Sequence, residues 1–126
     1  MRRTIMALAL ALTMGGAGTA AAHDASFRTA SSFGFFAGSP DAFLGDVSSP
    51  SRDCEVDRKV KVFLKKPGRD QLIGADRSDA GGQWLIETAN AASAKYYAKI
   101  AERKLASTAA HDHVCRQYRS STLPFG

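Results

Sequence analysis

The sequence predicts an all-β protein: one antiparallel β-sandwich behind a cleaved leader. Three observations predict it. Short apolar runs alternate with polar residues at period 2, the spacing of strands with one buried face. Turn-forming residues divide these runs at short intervals, as at Ser49-Pro50, Pro67-Gly68 and Asp79-x-x-Gly82. The clearest pair of strands flanks Ser78-Asp79-Ala80-Gly81-Gly82-Gln83-Trp84, a turn of a kind that recurs between strands of small secreted sandwiches.

The chain divides into a leader, an arm and a domain. Residues 1–22 read as a secretory signal peptide, with Arg2-Arg3, an apolar stretch from Ile5 to Met14, and Ala20-Ala21-Ala22 at the cleavage position. The apolar stretch is short for a bilayer span and Gly15, Gly16 and Gly18 follow it, so no integral membrane segment is expected after cleavage. Residues 23–41, rich in Ser, Gly and Phe, read as a flexible arm or an edge strand. Residues 42–126 read as the sandwich domain.

Within the domain, Phe43, Gly45 and Val47 alternate with Leu44, Asp46 and Ser48, and Ser49-Pro50-Ser51 ends that strand. Arg58 to Lys66 is the plainest strand, and Pro67 to Asp70 a turn. Gln71 to Asp76 and Trp84 to Thr88 follow. Period 2 places Val60, Val62, Leu64, Trp84 and Ile86 on one face, the core. Residues 89–105 are rich in alanine, and helix propensity competes with strand alternation there. A strand over 95–102 is favoured by its β surroundings, with Tyr96, Ala98 and Ile100 inward and Tyr97 and Lys99 outward; Asn90 to Ser93 could add a helical turn. A last strand is expected over Val114 to Ser121.

Removing the leader removes Arg2 and Arg3 and no acid, so the net charge of +5 falls to +3. That is an ordinary surface charge. The densest basic group, Lys65-Lys66 with Arg69, reads as a solvated hairpin tip with no aromatic residues interleaved, and no nucleic-acid partner is expected. Cys54 and Cys115 are the two cysteines, and in an exported chain they read as one disulfide. The expected location is extracytoplasmic: secreted, periplasmic or on the cell surface.

The candidate metal residues are the three histidines. Cleavage after Ala22 makes His23 the amino terminus, offering its amine and ring to copper, with His111 or His113 as a further ligand and Asp112 beside them. The bland reading makes His23 a chain end and His111-Asp112-His113 a polar loop, with no cofactor. Asp76 and Asp79 read as turn caps. No Gly-x-Ser-x-Gly marks a nucleophile. Trp84 and Tyr96 read as core, whereas Tyr97, Phe63 and Leu85 read as a candidate partner surface.

Phe43-x-Gly45-x-Val47-Ser48, Cys54, the Arg58-to-Leu64 strand, Ile73-Gly74-x-Asp76, Ser78-Asp79-x-x-Gly82-x-Trp84, Tyr96-Tyr97-Ala98-Lys99 and Cys115 occur in the order seen in transthyretin-like exported sandwiches. The layout is similar to the carboxypeptidase regulatory-like domains and covers about residues 43 to 121. The resemblance implies a prealbumin-like sandwich acting as a binding or structural module, its partner an extracytoplasmic protein or polysaccharide, rather than an enzyme. Hydroxyisourate hydrolases share that fold and end in Tyr-Arg-Gly-Ser. Tyr118-Arg119-Ser120-Ser121, with His111 and His113 upstream, resembles that ending, although Ser120 replaces the glycine.

Overall fold

The computed structural model describes residues 25–105 and 113–125, and all of it is strand, turn or loop apart from one 3-10 turn at Arg52–Cys54. The first strands are short: β1 (Ala25–Phe27), β2 (Ala30–Ser31) and β3 (Gly34–Phe36). Five longer ones follow: β4 (Asp41–Ser48), β5 (Lys59–Leu64), β6 (Gln71–Arg77), β7 (Gln83–Thr88) and β8 (Ala94–Ile100). The chain closes with β9 (Arg103–Lys104), β10 (His113–Cys115), β11 (Tyr118–Arg119) and β12 (Leu123–Phe125).

Two larger sheets form from these strands. In one, β4 pairs with β2, β3 and β7. In the other, β8 and β6 flank β5, and β11 and β12 both pair with the far edge of β8. Their inner faces meet in one core. Phe43, Val47, Trp84 and Ile86 come from the first sheet; Val60, Val62, Tyr96, Ala98 and Ile100 come from the second. Phe43 and Tyr96 touch across the gap with ring centroids 4.8 Å apart. Two sheets burying one shared apolar layer is the arrangement of a β-sandwich.

The strand-to-core logic follows side-chain alternation. Along β4, Phe43, Gly45 and Val47 are buried while Leu44, Asp46 and Ser48 are exposed. Gly45 is required by proximity: a Cβ there would lie 2.7 Å from the Trp84 ring and 2.1 Å from the Ser32 carbonyl oxygen. The indole needs that space because its Nε1 donates to Ser31 Oγ at 2.9 Å.

Of the two alternatives for the arm, short strands form over 25–36, and Phe33 and Phe35 pack on the core against Phe43 and Phe125. Three features depart from the expected layout. β1 runs parallel to β10, and with β9 they form a third, three-stranded sheet, so the pairing is not antiparallel throughout. The expected strand over 114–121 is broken after Cys115, where the Arg116 N–H donates to the Phe27 carbonyl and the Arg116 carbonyl accepts from the Arg58 side chain. Between Ala89 and Ser93 there is no helical turn; Asn90 has a positive φ of 56°.

Cys54 and Cys115 are bonded, joining the loop before β5 to β10 across a sequence separation of 61. Among the described residues no helix is long and apolar enough to cross a membrane.

Candidate functional site

The anchoring end of the molecule is organised by Arg58. It stands two residues before Val60, on the same inward side of its strand, and is 1% exposed. Burying a guanidinium is costly unless its N–H groups find acceptors. Here Nη1 donates to the Cys54 carbonyl at 2.7 Å and Thr29 Oγ1 at 3.0 Å, and Nη2 to the carbonyls of Ala101 at 2.9 Å and Arg116 at 3.1 Å. All four acceptors are uncharged. Burial, with a smaller contribution from nearby Arg103, holds this guanidinium below its ordinary pKa. The side chain therefore ties four separated chain segments together beside the disulfide.

The signature turn locks onto the same end. Ser78 is buried; its Oγ donates to the Glu55 carbonyl and accepts from the Arg58 N–H at 2.8 Å. Asp79 Oδ1 accepts from Gly81 and Gln83 N–H groups at 2.9 Å each, the expected capping role. Asp76 Oδ2 accepts from the Leu85 N–H, linking β6 to β7. An open groove of about 510 Å³ lies beside this turn, lined by Leu44, Asp46, Asp76, Arg77 and Leu85 among others. Two of its carboxylates, Asp76 and Asp79, already accept backbone N–H groups.

The outward face of the second sheet is different. Every outward residue of β5, β8 and β11 is a cation or an aromatic ring: Lys59, Lys61 and Phe63; Lys95, Tyr97 and Lys99; Arg119. Pairing sets them in rows. Lys61 is opposite Lys99, and Lys99 is opposite Arg119, giving three cations side by side across three strands. At a strand spacing of about 4.8 Å the row is roughly 10 Å long. Phe63 is opposite Tyr97 in the adjacent row, with the rings stacked at 5.3 Å and 17°. Arg119 lies over the Tyr97 ring, 4.0 Å from its centroid.

Tyr97 is thus covered from both sides and only 5% exposed, which corrects the expectation that it points to solvent as a partner surface. Phe63 is half-buried rather than exposed, and Leu85 is exposed. The Tyr97 hydroxyl donates to Asp70 Oδ2 at 2.6 Å. That bond, then the Lys66 N–H and the Lys65 and Arg119 cations, holds the Asp70 carboxyl below its usual range; the same bond, with burial, pushes the Tyr97 hydroxyl up. Asp70 is therefore already engaged by Tyr97 and Lys65 at one edge of the face. The ion pairs among the described residues are Lys65–Asp70 and Arg77–Asp57, and neither includes Lys59, Lys61, Lys99 or Arg119.

Of the three candidate metal histidines, His113 is the one among the described residues. His23 and His111 lie outside the described residues. His113 sits in β10 with its ring edge-on to Phe27 at 5.7 Å. Among the described residues no three His, Cys, Asp or Glu side chains converge on a metal position. Arg119 of the hydrolase-like segment belongs to the large sheet, whereas His113 belongs to the three-stranded one. Ser120 is buried, its Oγ accepting from the Ala98 N–H. The structure thus does not gather His113 and Arg119 into one sheet.

The basic row was hidden because its members come from three strands whose adjacency the sequence does not state. No protein family, curated protein or solved structure matches the chain.

Proposed function

We propose that the chain is an exported, non-enzymatic, transthyretin-like β-sandwich module that binds an anionic polymer on the outward face of its five-stranded sheet. The observation behind this reading is the Lys61–Lys99–Arg119 row. Like charges placed directly opposite one another destabilise a sheet, so folding alone does not favour this arrangement. A bound polyanion turns the same repulsion into attraction, and clustered cations raise the local concentration of such a ligand. The disulfide and the leader-like residues 1–22 support a location outside the cytoplasm.

The test is binding to immobilised heparin, compared between two triple variants that remove equal charge. Lys61→Gln/Lys99→Gln/Arg119→Gln is expected to weaken binding at least ten-fold. Lys65→Gln/Lys66→Gln/Arg69→Gln, at the hairpin tip, is expected to change it less than three-fold. Equal losses from both would reduce the effect to net charge, and no binding by the wild-type protein would end the proposal.

A further inference from the structure

The same face carries a hollow of about 200 Å³ lined by Lys59, Lys61, Phe63, Lys99 and Ala101. Its lining is mostly apolar, with Phe63 towards one end, Ala101 towards the other and Lys61 paired with Lys99 between them. Resting on the polyanion reading above, we infer that the ligand is a carboxylated polysaccharide, with one uronate ring seated in this hollow.

Size, shape and spacing lead to that class. The hollow is smaller than the usual 300–1,000 Å³ pocket for a drug-sized ligand, so it takes a single ring rather than a multi-ring group. A pyranose ring has a C–H face that packs on an aromatic ring such as Phe63, and hydroxyls and a carboxylate at its edge that meet the neighbouring Lys61 and Lys99. Lys61, Lys99 and Arg119 recur at the strand spacing, close to the length of one sugar residue along a chain, so successive uronates can meet successive cations. Arg119 adds directional recognition. Its guanidinium is held over Tyr97, 4.0 Å from the ring centroid, and a guanidinium can meet a carboxylate in a two-pronged geometry that an ammonium lacks.

Single-stranded nucleic acid fits less well. Sequence-tolerant binding of that kind needs exposed ring faces on which bases stack. Tyr97 is 5% exposed, with Phe63 stacked on it and Arg119 over its ring, so the outward face of β5, β8 and β11 offers one partly exposed ring, Phe63, where successive bases need several. An anionic membrane surface calls for apolar side chains projecting beyond the cations. On β5 and β8 the outward aromatics, Phe63 and Tyr97, are half-buried and buried, while Lys59 and Lys99 are exposed.

The experiment measures affinities at one ionic strength for polygalacturonate, polyglutamate, poly-dT and phosphatidylglycerol vesicles. The inference expects polygalacturonate to bind at least ten-fold more tightly than each of the others. Phe63→Leu, which keeps an apolar side chain but removes the ring, is expected to cut polygalacturonate affinity about five-fold and leave polyglutamate binding unchanged; Lys99→Gln weakens both. Equal binding to all four polyanions overturns the sugar assignment and leaves the polyanion reading standing. Tighter binding of poly-dT or vesicles overturns it in favour of those ligands. Binding to none overturns both readings.

Discussion

Replacing Arg58 by alanine tests whether one buried cation holds the anchoring end together. The substitution removes four hydrogen bonds at 2.7–3.1 Å and exposes their acceptors to rehydration or to nothing. The Cys54 carbonyl and Thr29 Oγ1 bonds are fully buried, and each orphaned acceptor costs about 1–2 kcal/mol. The Ala101 and Arg116 carbonyls are partly buried and recover water, costing about 0.5 kcal/mol each. The sum is about 3–5 kcal/mol, a large part of the 5–15 kcal/mol that typically separates folded from unfolded domains. Arg58→Lys keeps the charge but supplies three donors from one nitrogen, which cannot span acceptors on four segments, and is expected to cost about 2 kcal/mol. Urea unfolding with the disulfide intact measures both. A loss below about 1 kcal/mol for the alanine variant, or none for lysine, would refute the reasoning.

Replacing Cys54 and Cys115 together with alanine opens a loop of 61 residues and is expected to lower stability by about 4 kcal/mol in the chain-entropy model, measured by the shift in urea midpoint. The Asp70–Tyr97 bond sets a pH dependence whose sign follows from its direction. Asp70 is depressed in the folded state, so its contribution is present above the unfolded carboxylate pKa of about 3.9 and is lost as pH falls through the lower folded value. Tyr97→Phe is expected to move the Asp70 titration, followed by carboxyl NMR, upward and to flatten that acid limb; an unmoved Asp70 would contradict the assignment.

The middle of the fold was legible because β4 through β8 are long enough for period 2 to repeat. Phe43, Val47, Val60, Val62, Trp84 and Ile86 are buried as that period requires. The same period placed Arg58 inward with Val60 and Val62, a signal obscured by its charge and by neighbouring Glu55 and Asp57. The ends were less legible for a local reason: β1, β2, β3, β10, β11 and β12 are two or three residues long, too short for any period to register. Their pairing is set by the disulfide, the Arg58 bonds and the Phe33–Phe35–Phe125 aromatic group, all of them contacts distant in sequence. Tyr97 followed strand parity outward, yet it is buried by Phe63 and Arg119 from the two neighbouring strands. The basic face arose the same way. Its lysines were visible one by one, and only the register of β5, β8 and β11 made them a row.

Charge reversal at the centre of that row gives the most direct measurement. Lys99→Glu converts two repulsive cross-strand pairs, with Lys61 and with Arg119, into attractive ones. At about 0.5 kcal/mol for each pair, the protein is expected to gain about 1 kcal/mol of stability at low salt, fading as salt screens the pairs. Binding to immobilised polyanion is expected to fall at least ten-fold in the same variant. A gain in stability with a loss of binding is what a face retained for ligand predicts; a destabilised protein, or one that binds as before, would contradict it.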